Sequence, residues 1–156
     1  RTNDRSSLDI FSTLFIIFGI STTTDKLAAA QKKAMTIRPK VGGFPYLAET
    51  LRQAGVKQNV WSLPSCQSIY YMEGGTVVQQ GTPLIEGSVD VPPFNKEALI
   101  KALRADQAGT TTFPEFLKAT WKAGVVWYRA DFENRVVVYG GPNGETYLEN
   151  YAQVKV

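Results

Sequence analysis

Histidine is absent from the 156 residues, and cysteine occurs once, at Cys66. Those two shortages exclude whole classes of chemistry. Without histidine there is no Ser-His-Asp triad, no Cys-His pair and no zinc site of the ordinary ligand type, and a lone thiol closes no internal disulfide. The sequence therefore predicts no metal, no cofactor and no catalytic residue. Charge of one sign is also scarce. The 17 Lys and Arg exceed the 14 Asp and Glu by only three, and Lys32-Lys33 is the only adjacent basic pair, so no nucleic acid is expected as a partner. Long hydrophobic runs are missing too. The densest apolar stretch, Leu8 to Ile20, is interrupted by Asp9 and falls short of the roughly twenty residues that a membrane-spanning helix needs.

What is present describes a folded, soluble protein. A hydrophobic fraction of 44% with 20% charged residues is that of a globular chain, and 12% aromatics suits sheets better than helical bundles. A chain of this length can bury roughly two thirds of the surface its unfolded form exposes, so it needs neither metal nor disulfide to hold together.

The stretch from Phe113 to Glu149 reads as one complete folding unit. It opens Phe113-Pro114, runs through a helical pattern to Ala123-Gly124-Val125, and continues into Val126-Trp127-Tyr128, Val136 to Tyr139 and a turn at Asn143-Gly144. Sixty-nine residues upstream the landmarks recur without a gap, with Phe44, Pro45, Ala54, Gly55, Val56, Tyr70 and Gly75 matching Phe113, Pro114, Ala123, Gly124, Val125, Tyr139 and Gly144. One motif used twice is the simplest explanation.

Within each copy the signals give a helix–helix–strand–strand–strand order. Asp25 onward shows an apolar face of Leu27, Ala30, Ala34 and Ile37, stopped by Arg38-Pro39. Pro45 and Pro114 stand where a helix tolerates the missing N–H, and Gly55 and Gly124 stand where a C-terminal cap belongs. Val56 to Leu63, Gln67 to Met72 and Thr76 to Gln79 read as strands. Asn95 is placed to cap a helix from Lys96 to Ala105 whose buried face is Leu99, Ala102 and Leu103. The predicted fold class is α+β, made of internally duplicated helix–helix–β-meander units whose antiparallel sheet or sheets are covered by helices. The expected division is a 1–23 apolar extension or leader, then one domain, 24–156, of two repeats at about 24–80 and 94–151. A Gly/Pro-rich connection, 81–93, joins them, with an edge strand at Val89 to Pro93.

The order of these elements resembles a bacterial family of uncharacterised proteins often labelled phage envelope protein. The resemblance rests on the Phe-Pro-x8-Ala-Gly-Val segment in both copies and on Trp127-Tyr128-x2-Asp131-Phe132, Tyr139-Gly140 and Gly144-Glu145 before a Tyr-rich tail. It runs from about Asp25 to the C-terminus and leaves residues 1 to 23 outside. The family carries no established activity and no catalytic residues to transfer. The first copy departs from the pattern, with Ala48, Gln58 and Ser62 where the second has Leu117, Trp127 and Asp131.

The second copy is therefore the better place to seek a site. Trp127, Arg129 and Asp131 alternate along one strand and share a face, and Glu145 and Glu149 are expected to share a face of the last strand. These five are the candidate binding residues, for a small polar ligand or a protein partner. The function expected is a non-enzymatic binding module on this polar-aromatic sheet face. A small hydrolase or lyase using Asp131, Glu145 or Glu149 is the first alternative, and envelope or membrane association through residues 8–20 the second. Membrane contact is expected only if that apolar run is retained. The location expected is cytoplasmic, or secreted or envelope-bound if residues 1–21 act as a leader.

Overall fold

A computed structural model describes residues 22–156, so the apolar run of residues 8–20 lies outside the described residues. Four helices and six strands follow in the order α1 (Thr23–Ile37), α2 (Phe44–Gln53), β1 (Val56–Ser62), β2 (Gln67–Met72), β3 (Gly75–Gln80), α3 (Lys96–Gln107), α4 (Phe113–Lys122), β4 (Trp127–Asp131), β5 (Val136–Gly140) and β6 (Thr146–Asn150). The expected class is the observed one, an α+β fold, with the same element order in both halves. Val89 to Pro93 forms no strand.

Local chemistry starts and stops each helix. Thr22 opens α1 with a reciprocal cap, its hydroxyl accepting from Asp25 N at 3.1 Å while its own N–H donates to the Asp25 carboxylate at 3.2 Å. Thr112 and Glu115 repeat that arrangement on α4, and Asn95 accepts from Ala98 N at 3.0 Å to open α3. Only α2 lacks a side-chain cap, because Gly43 stands at its N-cap. Thr112→Ala is accordingly expected to cost about 1 kcal/mol, read as a lower urea midpoint with unchanged slope. A loss within experimental error would mean that Pro114 and packing alone start α4.

The six strands form one sheet in the order β3-β2-β1-β4-β5-β6, antiparallel throughout. Each half contributes a three-stranded meander, and the two join where β1 pairs with β4, Val60 opposite Arg129 and Trp61 opposite Tyr128. That pairing turns what would be two open edges into the centre of the sheet. Inward alternation then fixes the core. Val77, Tyr70, Asn59, Ala130, Val137 and Glu149 form one row across all six strands on the helical side, and Gln79, Ser68, Trp61, Tyr128, Tyr139 and Tyr147 form the next. Leu27, Leu51, Leu99, Leu103 and Phe116 of the helices close over these rows. Trp61 stacks on Tyr128 with ring centroids 5.8 Å apart, and Phe113 at the start of α4 meets Trp61 edge-on at 5.4 Å.

Two breaks in regularity serve the fold. The β1 register slips between Val56 and Gln58, a bulge that lets Val56 bury fully. Arg135 takes φ +53° in the β4–β5 turn, where Asp131 accepts from Glu133 N at 3.1 Å, from Asn134 N at 3.0 Å and from Asn134 Nδ2 at 2.7 Å.

Candidate functional site

The five sequence candidates do not come together. Trp127, Arg129 and Asp131 lie on the sheet face away from the helices, as their alternation requires. Glu149 lies on the opposite face, level with Val137, and is ion-paired to Arg104 of α3. Glu145 precedes β6, and its carboxylate accepts from Asn143 N at 2.6 Å inside the β5–β6 turn. The expectation that Glu145 and Glu149 extend the Arg129–Asp131 cluster is therefore corrected by the register: Glu145 belongs to a turn and Glu149 to the helical side.

Each of the three carboxylates has a structural partner. Asp131 organises the β4–β5 turn, Glu145 the β5–β6 turn, and Glu149 ties β6 to α3. A fourth acid, the buried Glu49 of α2, accepts from Arg52 Nε at 2.9 Å and Nη2 at 2.7 Å, and these hydrogen bonds hold its carboxyl below its ordinary value against the opposing effect of burial. Asp106 near the end of α3 is the acid pushed up by burial, an effect tempered by Arg38. Among the described residues no group of three or more His, Cys, Asp and Glu side chains is placed to hold a metal ion, and no helix is long and apolar enough to cross a membrane.

A cleft of about 310 Å³ lies at the far end of the first meander, lined by Trp61, Cys66, Ser68, Gln79, Gln80 and Gly81. None of the five candidate residues lines it. Cys66 is buried there, donates from Sγ to Leu63 O at 3.4 Å, and has its thiol pushed up by burial, so the thiolate needed for nucleophilic attack is disfavoured.

The outer face of the sheet carries something the sequence reading missed. Its central row runs Val78, Ile69, Val60, Arg129, Val138, Leu148 from edge to edge, flanked by Thr76, Tyr71, Gln58, Asp131, Val136, Asn150 on one side and Gln80, Gln67, Ser62, Trp127, Gly140, Thr146 on the other. None of these residues belongs to the core cluster or packs against it. Val78 and Leu148, at the two edges of the row, are 56% and 54% exposed, while Ile69, Val60 and Val138 between them are half-buried, and Tyr71 in the flanking row is 42% exposed. The Arg129 guanidinium sits 6.0 Å from the Trp127 ring centre, and the Trp127 ring lies across Gly140, where any side chain would overlap it. One strand's share of this row was visible in the sequence. Val136-Val137-Val138-Tyr139 is an uninterrupted apolar run, the pattern of a strand whose two faces are both apolar.

The molecule thus defines a class by shape alone, a six-stranded antiparallel sheet with four helices on one face and an apolar row open on the other. Residues 31–150 match the family described as Protein of unknown function (DUF1398), and the chain belongs to that family. The family description assigns no activity and carries no envelope label. Among relatives, the chain is 52% identical over 136 residues to the uncharacterized protein Rv2012 of Mycobacterium tuberculosis (strain ATCC 25618 / H37Rv), covering 87% of this chain and 83% of that one, and equally to the uncharacterized protein Mb2035 of Mycobacterium bovis (strain ATCC BAA-935 / AF2122/97).

Proposed function

We propose that the protein is an interaction module that docks a macromolecular partner through the outer face of its sheet, with Trp127 and Arg129 as anchors. The observation that carries this reading is an outward apolar row, exposed at Val78 and Leu148 and half-buried between them, flanked by more polar rows, the arrangement of an apolar interface core with a polar rim. Trp, Tyr and Arg are the residue types that concentrate binding energy, and this face offers Trp127, Tyr71 and Arg129. A flat face of this kind suits a protein surface better than a small polar ligand, which needs concavity. The reading keeps Trp127, Arg129 and Asp131 as site residues, with Asp131 acting through the β4–β5 turn, and leaves Glu145 and Glu149 in structural roles. It also takes the halves, about 24–80 and 94–151, as two uses of one motif, which sets Val60 of β1 beside Arg129 of β4 at the middle of the docking row.

The test is photocrosslinking in the native cell with a photoreactive amino acid in place of Val138 on the outer face, and in place of Lys101 on the helical layer as the control. Val138 is expected to give an adduct of discrete mass and Lys101 none. Adding Trp127→Ala should lower the Val138 yield by about tenfold or more. Equal yields from the two positions, or no adduct at Val138, would sink the reading.

A further inference from the structure

We infer that the partner seated on this face is a second copy of the chain, so that two sheets pack face to face about a two-fold axis. The inference rests on the reading of the outer face as an interaction surface and adds the identity of what covers it.

Three observations favour a second copy. The first is area. Six strands about 4.8 Å apart, each presenting about five residues at roughly 3.3 Å per residue, give a footprint on the order of 500 Å². Two such faces remove about 1,000 Å² from water, the lower bound for a specific interface, and sheet-on-sheet packing at about 10 Å is a common way to bury an apolar sheet face.

The second is self-complementarity. A two-fold interface brings one surface against itself, so that surface must be compatible with its own copy. The central row is apolar on both flanks, Val78, Ile69 and Val60 on one side of Arg129, Val138 and Leu148 on the other. Across a dyad at the middle of the row Val78 meets Leu148 and Ile69 meets Val138, while Arg129 meets Val60 with its guanidinium against its own Trp127 ring. The polar rows hold Gln58, Gln67, Gln80 and Asn150, whose amides can both donate and accept, so they too can face themselves.

The third is charge. Of the eighteen residues in the three outer rows, only Arg129 and Asp131 are charged, they are of opposite sign, and both stand on β4. The face therefore has no net charge to repel its copy. The helical layer is different, since Lys26, Lys32, Lys33, Lys101, Lys118 and Lys122 are all exposed on it and outnumber its exposed acids, Asp25, Glu97 and Glu115. Like charges at that surface disfavour self-association there, which leaves the sheet face as the one suited to a copy.

Sedimentation velocity of the purified 156-residue chain tests this between about 1 and 100 µM, the affinity range that an interface at the low end of size suggests. The expected result is a shift from 17.2 kDa to twice that mass across the series. Val138→Lys, which would bury an ammonium in each half of the interface, is expected to weaken association by about 100-fold or more, with an unchanged far-UV spectrum showing that the fold survives. Lys101→Glu on the helical layer is expected to leave the dimer intact. A parent chain that stays at 17.2 kDa up to 100 µM overturns the inference, as does a dimer that survives Val138→Lys. A monomer that dimerises only after residues 1–21 are removed also overturns it, because the chain's own N-terminal segment would then be the cover. If the chain is monomeric yet Val138 crosslinks to a protein of another mass, the second copy is wrong while the interaction surface stands.

Discussion

Gly124→Ala is expected to destabilise the protein by about 3 kcal/mol or more, whereas Gly55→Ala, at the matching position of the first half, is expected to cost about 1 kcal/mol. Both glycines follow the C-cap of a helix with positive φ, +82° at Gly124 and +94° at Gly55. That conformation alone penalises a Cβ by about 1 kcal/mol. Their surroundings set them apart. A Cβ on Gly124 would lie 2.5 Å from the Pro93 carbonyl oxygen and 2.6 Å from Phe94 Cα, where the connection from β3 enters α3, while a Cβ on Gly55 meets only the Glu73 side chain at 3.6 Å. Backbone cannot rotate aside as a glutamate can. The Pro93–Phe94 segment is also fixed, because Asn95 N donates to Ala123 O at 2.8 Å and so ties α3 to the end of α4. Relief of the clash would have to break that bond or shift Phe94, which packs against the core. Urea unfolding of the two variants side by side measures the difference. Equal losses would mean that the 93–95 crossing is soft and shifts to admit the methyl group.

This asymmetry also marks the limit of what the sequence could convey. The helix ends were legible because caps are local: Thr22, Asn95 and Thr112 act within three residues of themselves. The six strands of the sheet were legible to within a residue, helped by Gly74 and Gly144 in turns with positive φ, whereas the edge strand expected at Val89 to Pro93 does not form. The β1–β4 pairing was not legible. Alternation along a strand says which residues share a face, but it does not say which strand lies alongside, and these two are separated by more than sixty residues of chain. The site suffered from the same gap. Arg129 and Asp131 were readable as same-face residues of one strand, but placing Glu149 relative to them required the β5–β6 register, which sets it level with Val137 on the helical side. The burial of Glu49 under its Arg52 partner was missed because an acid and a base three apart on a helix usually mean a solvated pair. The apolar row of the outer face is the sum of residues from all six strands, so no single window of sequence displays it.

Alkaline pH is expected to unfold the protein steeply from about pH 10, because two phenols on the helical side of the sheet are held neutral by the fold. Tyr128, stacked on Trp61 and tilted against Tyr139, is pushed well above its ordinary value by burial, with Tyr139, Tyr70, Cys66 and Asp106 adding repulsion to its anion. Tyr139 is pushed up as well, again chiefly by burial, with Glu149 and Asp106 opposing its ionisation and Arg104 favouring it weakly. In the unfolded chain these phenols titrate near pH 10. Their contribution is complete below that pH. Above it the unfolded state releases protons that the folded state retains, so stability falls by about 1.4 kcal/mol per pH unit for each phenol until its folded value is reached. Two phenols give up to about 2.7 kcal/mol per pH unit above pH 10, a loss that soon becomes a large fraction of the whole stability of many domains. Tyr151, pushed up to about 12 and only half-buried beside Arg135, adds a smaller share that water screens. Tyr128→Phe keeps the ring that packs on Trp61 and removes one titrating group, so it should make the slope clearly shallower while leaving unfolding at pH 7 nearly unchanged; Tyr139, Tyr70 and Tyr151, all pushed up by burial, keep the remainder. Urea midpoints collected from pH 7 to pH 12 on the parent and on Tyr128→Phe decide the matter. A parent whose stability is flat to pH 12 would mean that water reaches both phenols, and that the aromatic row under the helices is hydrated rather than dry.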